Sequence, residues 1–92
     1  MGACYLSAKA SLRSGCGLST VLVPISQLAT IQTLVPESMA LTYNESSLWN
    51  KILDLNSFNS IAIGPGISTQ KKIENKLLDL LPSIRIPLVL DA

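Results

Sequence analysis

The strongest constraint on this chain is a set of four short, almost purely apolar runs, each stopped by proline, glycine or a polar residue. They are Leu18-Ser-Thr-Val-Leu-Val-Pro24, Met39-Ala-Leu-Thr-Tyr43, Ser60-Ile-Ala-Ile-Gly64 and Ile86-Pro-Leu-Val-Leu-Asp91. Runs of this length, rich in Val, Ile and Leu, read as strands rather than helices. The first lacks any alternation between apolar and polar residues, the pattern of a strand buried on both faces of a parallel sheet. Parallel neighbours cannot be joined by a tight hairpin, so helices are expected between the strands.

The intervening segments supply them. Small and apolar residues at positions 3, 4, 6, 8, 10 and 12 fit a helix over 2–14 that buries much of its circumference, with Lys9 and Arg13 one turn apart on the wet side. So many small side chains read first as tight packing against a sheet. Gly15 stands where a left-handed C-terminal cap is wanted. Positions 25–34 form a weak helix. A polar run at 44–47 caps a short helix whose apolar stripe is Leu48, Trp49, Ile52, Leu53 and Leu55. A long helix is expected over 69–81. Ile73, Leu77, Leu78 and Leu81 form its inner face, Lys71, Lys72, Glu74, Lys76 and Asp79 its outer face, and Pro82 ends it. Strands and helices in alternation predict an α/β fold around a mostly parallel sheet.

Composition narrows the function. Of the 92 residues, 48% are hydrophobic and 14% charged, too apolar for a disordered chain. Seven Lys+Arg against six Asp+Glu leave no basic stripe for nucleic acid. No apolar run approaches the roughly 20 residues that cross a bilayer, and no leader sequence is expected at the N-terminus. The chain has no histidine and only two cysteines, Cys4 and Cys16. A Ser-His or Cys-His nucleophile pair is therefore impossible, and the ligands of a zinc site are lacking. The two thiols are expected to be small buried apolar groups in a reducing cytoplasm, and Tyr43 and Trp49 to cover the core.

In open α/β sheets ligands bind beyond the carboxyl ends of the strands. Two segments fall there. Gly64-Pro65-Gly66 joins a strand to a helix, and its glycines leave room for a close backbone approach to a ligand such as phosphate. The same residues also make a plain strand-to-helix turn. Asp91 follows the last strand, where an acid can hold a ligand or simply cap a helix.

Four phrases taken in order resemble the NAD(P)H-hydrate dehydratases. Gly2-Ala3 with Leu6-Ser-Ala-Lys-Ala-Ser-Leu-Arg-Ser-Gly-Cys-Gly-Leu18 and Val21-Leu-Val-Pro24 resembles the family's early helix and strand. Pro36-Glu37-Ser38-Met39, Ala62-Ile63-Gly64-Pro65-Gly66 and Pro87-Leu-Val-Leu-Asp-Ala92 resemble three further phrases, so the likeness runs through nearly all of residues 1–92. It implies a three-layer ribokinase-like sandwich, present only in part. It further implies removal of water from the hydrated cofactors NADHX and NADPHX, coupled to ADP or ATP and assisted by Mg2+. Phosphorylation turns the hydroxyl into a good leaving group, which is how a kinase-like fold can host a lyase. By the same resemblance Ala3, Gly64, Gly66 and Asp91 touch the substrate, and the protein is a cytoplasmic homo-oligomer, a tetramer as family members often are.

The departures are equally specific. Ile67-Ser68 replaces the leucine and glycine that follow this turn in the family, and Cys16 replaces a common alanine. The family's histidine-bearing, Mg2+-binding and Gly-Thr-Gly-Asp segments have no counterpart here, nor does the glycine-rich strand that precedes its first helix. No catalytic aspartate is therefore assigned, and the main nucleotide and metal ligands are expected outside this chain. The isolated chain is expected to be an inactive piece of a dehydratase that associates or aggregates through its cut sheet. Another ribokinase-like small-molecule kinase and a non-catalytic binding or assembly module are the competing readings.

Overall fold

A computed structural model describes residues 2–44, 55–64 and 71–91. The chain divides into two compact units, Met1–Ser47 and Leu48–Ala92. The first holds helix α1 (Gly2–Arg13), strand β1 (Thr20–Pro24), a 3-10 turn (Ile25–Gln27) that runs into helix α2 (Leu28–Leu34), and strand β2 (Met39–Tyr43). The second holds a 3-10 turn (Leu55–Ser57), strand β3 (Ile61–Ile63), helix α3 (Lys71–Leu80), a 3-10 turn (Leu81–Ser83) and strand β4 (Leu88–Leu90). β1 pairs with β2 and β3 with β4, both in parallel. Each unit is thus a strand–helix–strand module, and the α/β class with parallel strands is as the sequence implies.

In the first unit the pairing runs from Thr20 opposite Met39 to Pro24 opposite Tyr43. Val21 and Val23 project from one face of β1 and join Ala8 of α1, Ile31 of α2 and Val35 in a single buried cluster. Because side chains two apart share a face, both helices cover the same side of the sheet. Ile31 and Val23 are each only 1% exposed, and full burial of an aliphatic side chain contributes about 1.5–3 kcal/mol. On the opposite face, the register partners Leu22 and Leu41 are 37% and 36% exposed. β1 is therefore buried on one face, not on both as its unbroken apolar run suggested.

Other differences have local causes. α1 buries a narrow stripe of Cys4, Tyr5, Ala8 and Leu12, spaced at three- and four-residue intervals, while Leu6 is 64% exposed. Lys9 is half-buried because its Nζ donates to Tyr5 Oη at 3.1 Å and lies 5.4 Å from the centre of that ring. β1 begins at Thr20, two residues later than its apolar run, and Leu18 is 81% exposed. Serine 38, a residue without a predicted role, is buried at the entry to β2, where its Oγ donates to the Ser19 carbonyl at 3.2 Å. The Met39 N–H reaches the same carbonyl at 2.8 Å, so one oxygen aligns the starts of both strands. Tyr43 is half-buried at the end of β2; Trp49 and its helix lie outside the described residues, apart from Leu55.

Among the described residues of the second unit, Ile73 is the buried hydrophobic residue. Along α3, Ile73 is buried and Leu77 half-buried, with Leu81 half-buried in the turn beyond, but Leu78 is 58% exposed and falls off the inner face. Lys71, Glu74 and Asp79 are exposed as expected, and Lys76 is half-buried. The Lys71–Glu74 ion pair at 3.4 Å is open to water and adds little. Pro82 sits within the 3-10 turn that closes the helix. β3 and β4 are three residues each and lie partly exposed.

The end of α1 is a Schellman cap. Gly15 has φ +101°, its N–H donates to the Leu12 carbonyl at 3.2 Å, and the Cys16 N–H reaches Ser11 at 3.3 Å. The turn carries Cys16 out to solvent, so the expectation of two buried thiols holds only in part: Cys4 is half-buried, and both are free. Replacing Gly15 with alanine should cost about 1–2 kcal/mol, because an L-residue there is forced into the left-handed region. Gly17→Ala, with open space at its Cβ position and no positive φ, should be near neutral; urea unfolding of the two variants checks the contrast. The thiols should also differ. Burial pushes the Cys4 pKa above its ordinary value, against a weaker opposite pull from the amino terminus. At pH 7–8 a disulfide reagent should label Cys16 well before Cys4, and the lag of Cys4 should shrink as pH rises, because the thiolate is the nucleophile.

Candidate substrate site

The carboxyl ends of β3 and β4 meet. Ile61 stands opposite Leu88, Ala62 opposite Val89 and Ile63 opposite Leu90, so the next residues, Gly64 and Asp91, emerge side by side. The Ile61 N–H donates to the Pro87 carbonyl at 3.0 Å at the start of the pair, and the Asp91 N–H donates to the Ile63 carbonyl at 2.9 Å at its end. Thus two residues singled out in sequence, 27 positions apart, become neighbours through three pairs of strand residues.

Gly64 is buried, with φ +129°. A Cβ built on it would fall onto the Asp91 carbonyl oxygen and lie 2.6 Å from the carbonyl carbon. No side chain fits there, and the backbone conformation is one that L-residues rarely adopt. The space freed by the missing side chain is filled by the neighbouring strand. At this position glycine serves the approach of one strand to another, a role that the Gly-Pro-Gly phrase alone did not distinguish from approach to a ligand.

Asp91 is exposed. Of the other residues singled out, Ala3 lies exposed in the first turn of α1 in the first unit, where its carbonyl accepts from Ser7 Oγ at 2.9 Å. Gly66 lies outside the described residues. A cleft of about 360 Å³ in the first unit, lined by Lys9, Arg13 and Glu37 over Leu12, Leu34 and Val35, contains none of them. Among the described residues no three His, Cys, Asp or Glu side chains come together to hold a metal. A hard cation such as Mg2+ needs several oxygen ligands, and the described residues do not by themselves supply that set. Among the described residues no helix is long and apolar enough to cross a membrane.

Sequence reading missed Asn56. Its Nδ2 donates to the Ser83 carbonyl at 3.1 Å and its Oδ1 accepts from the Arg85 N–H at 2.8 Å. The side chain thus acts as a surrogate peptide group, holding the segment that leads into β4. A lone asparagine between two apolar runs carries no local sign of this, because its partners are 27 and 29 residues away.

Comparison with known proteins decides the kinship. The model of the NAD(P)H-hydrate dehydratase family matches residues 1–92, the whole chain. This chain belongs to that family. It is 32% identical over 84 residues to an ADP-dependent (S)-NAD(P)H-hydrate dehydratase of Staphylococcus aureus, covering 91% of this chain and 30% of that protein. It is 32% identical over 99 residues to a bifunctional NAD(P)H-hydrate repair enzyme of Moorella thermoacetica, covering 99% of this chain and 19% of the relative. An ATP-dependent (S)-NAD(P)H-hydrate dehydratase of Phaeosphaeria nodorum is 30% identical over 106 residues, covering 99% of this chain and 33% of the relative. The chain therefore spans about a fifth to a third of the length of these curated dehydratases and repair enzymes. No solved structure matches it significantly.

Asn56→Ala should destabilise the second unit by about 1 kcal/mol, the usual worth of a lost hydrogen bond of this kind. The Arg85 amide should then exchange faster in heavy water, with the Met39 amide of the first unit unaffected.

Proposed function

We propose that this chain is the substrate-side portion of a dehydratase that restores NADHX and NADPHX to NADH and NADPH, in a nucleotide-dependent reaction. The observation that carries the reading is the junction of Gly64 and Asp91 at the carboxyl ends of adjacent parallel strands, in a chain matched by the family model from end to end. Such strand ends are where α/β folds seat their ligands. The hydrated nicotinamide ring offers a hydroxyl and a carboxamide N–H as donors, and the Asp91 carboxylate is an acceptor that suits either. Ala3 and Gly66 join Asp91 as proposed substrate contacts on the strength of their family positions alone.

ADP or ATP, with Mg2+, would supply the phosphoryl chemistry that makes the substrate hydroxyl a leaving group. This chain's part is binding and orientation. The sequence contains neither histidine nor a Gly-Thr-Gly-Asp segment, so no residue here is assigned to proton transfer or to the phosphoryl group. We place the reaction in a reducing cytoplasm, a setting compatible with two free thiols.

The test is calorimetric titration of the purified chain with NADHX, using NADH as the control ligand, followed by incubation with NADHX, Mg2+ and ADP or ATP while absorbance near 340 nm is recorded. NADHX should bind more tightly than NADH, Asp91→Asn should weaken that binding about tenfold, and the chain alone should show no turnover. Equal affinity for the two ligands, or binding indifferent to Asp91, overturns the substrate reading. Turnover free of contaminating enzyme overturns the division of labour.

A further inference from the structure

Gly64 has an unusual position for a residue of a strand-to-helix turn. It is buried, its φ is +129°, and the volume its side chain would need is occupied by the main chain of Asp91, not by solvent. The next strand end is held on the other side by the bond from the Asp91 N–H to the Ile63 carbonyl, 2.9 Å. The backbone of Asp91 is therefore held by two consecutive residues of β3 and its exit: its N–H donates to the Ile63 carbonyl, and its carbonyl lies against Gly64. A methyl group at 64 would have to displace the Asp91 carbonyl, and because the obstacle is backbone, no rotamer change can absorb the shift.

We propose that Gly64 is a positioning residue that sets where the Asp91 carboxylate stands, and that it affects substrate affinity through Asp91 and not by touching the ligand itself. The proposal rests on the substrate reading given above, and it turns a glycine expected to lie against the ligand into one that acts one residue away from it. Residues that act through one another give non-additive effects, whereas independent contacts give additive ones.

Two measurements separate the possibilities. The first needs no ligand: amide hydrogen exchange of the full chain. In Gly64→Ala the Asp91 amide should lose at least tenfold of its protection, while the Met39 amide, bonded to Ser19 in the other unit, keeps its own. Should Gly64→Ala unfold the second unit, a chemically ligated chain carrying Gly64→D-Ala replaces it. A D-residue favours positive φ and places its methyl on the other side of the Cα, so Asp91 protection should be retained. Unchanged Asp91 exchange in Gly64→Ala, or lost protection in the D-alanine chain, overturns the proposal.

The second is an affinity cycle with NADHX over Gly64→Ala, Asp91→Asn and the double variant. Each single change should weaken binding about tenfold, and the double variant should bind within twofold of Asp91→Asn alone. Losses that multiply to about a hundredfold overturn the coupling. Ile73→Ala, a core truncation in α3 away from the two strand ends in sequence, should leave the affinity of the folded chain within twofold; an equal loss there would mark a general stability effect and also overturn it. A wild-type chain indifferent to NADHX defeats the substrate reading, and the exchange experiment then decides the positioning role by itself.

Discussion

Parallel strand pairing is the interaction on which the rest of this molecule depends. Two neighbouring strands that run the same way need a crossover between them, and here each crossover carries a helix: α2 between β1 and β2, α3 between β3 and β4. The consequence for function is directional. Because both strands of a pair point alike, whatever follows one lies beside whatever follows the other. Antiparallel pairing would have sent Gly64 and Asp91 to opposite ends.

Within that frame, the two units use different means to fix their strands. The first relies on packing, with α1 and α2 together covering Val21 and Val23, and on the Ser19 carbonyl that receives both Ser38 Oγ and the Met39 N–H. In the second, the described residues include one buried aliphatic, Ile73. This unit uses local fits: the Asn56 side chain across Ser83 and Arg85 before β4, and the glycine at 64 after β3. Fits of this kind tolerate fewer residue types than packing does, since a well-packed aliphatic can often be exchanged for another of similar volume.

Much of this was legible in sequence. The order of elements, the parallel class, the glycine cap at Gly15 and the placing of Gly64 and Asp91 at strand ends follow from periodicity, punctuation and strand chemistry, and the family kinship from four ordered phrases. What was illegible is instructive. The unbroken apolar run of β1 implied cover on both faces, yet composition says only what a face prefers, not whether anything lies against it; Leu22 and Leu41 stay half open. The small residues of α1 suggested a helix burying much of its circumference, but among the described residues it is the Cys4, Tyr5, Ala8 and Leu12 stripe that meets the core. Asn56 and Ser38 escaped notice because their partners are distant in the chain. The contact of Gly64 with the Asp91 main chain was not legible because the φ of a glycine and the neighbour that fills its missing side chain exist only in three dimensions.

The brevity of β3 and β4 carries a thermodynamic consequence. Three residue pairs, against five between β1 and β2, give this strand pair a lower opening free energy, so its strand ends should separate and reclose more often than those of β1 and β2. A molecule that recognises Asp91 only when Gly64 lies beside it binds the closed form alone, and by mass action it draws the population toward closure. For this part of the chain, occupancy and folding would be one equilibrium viewed from two sides.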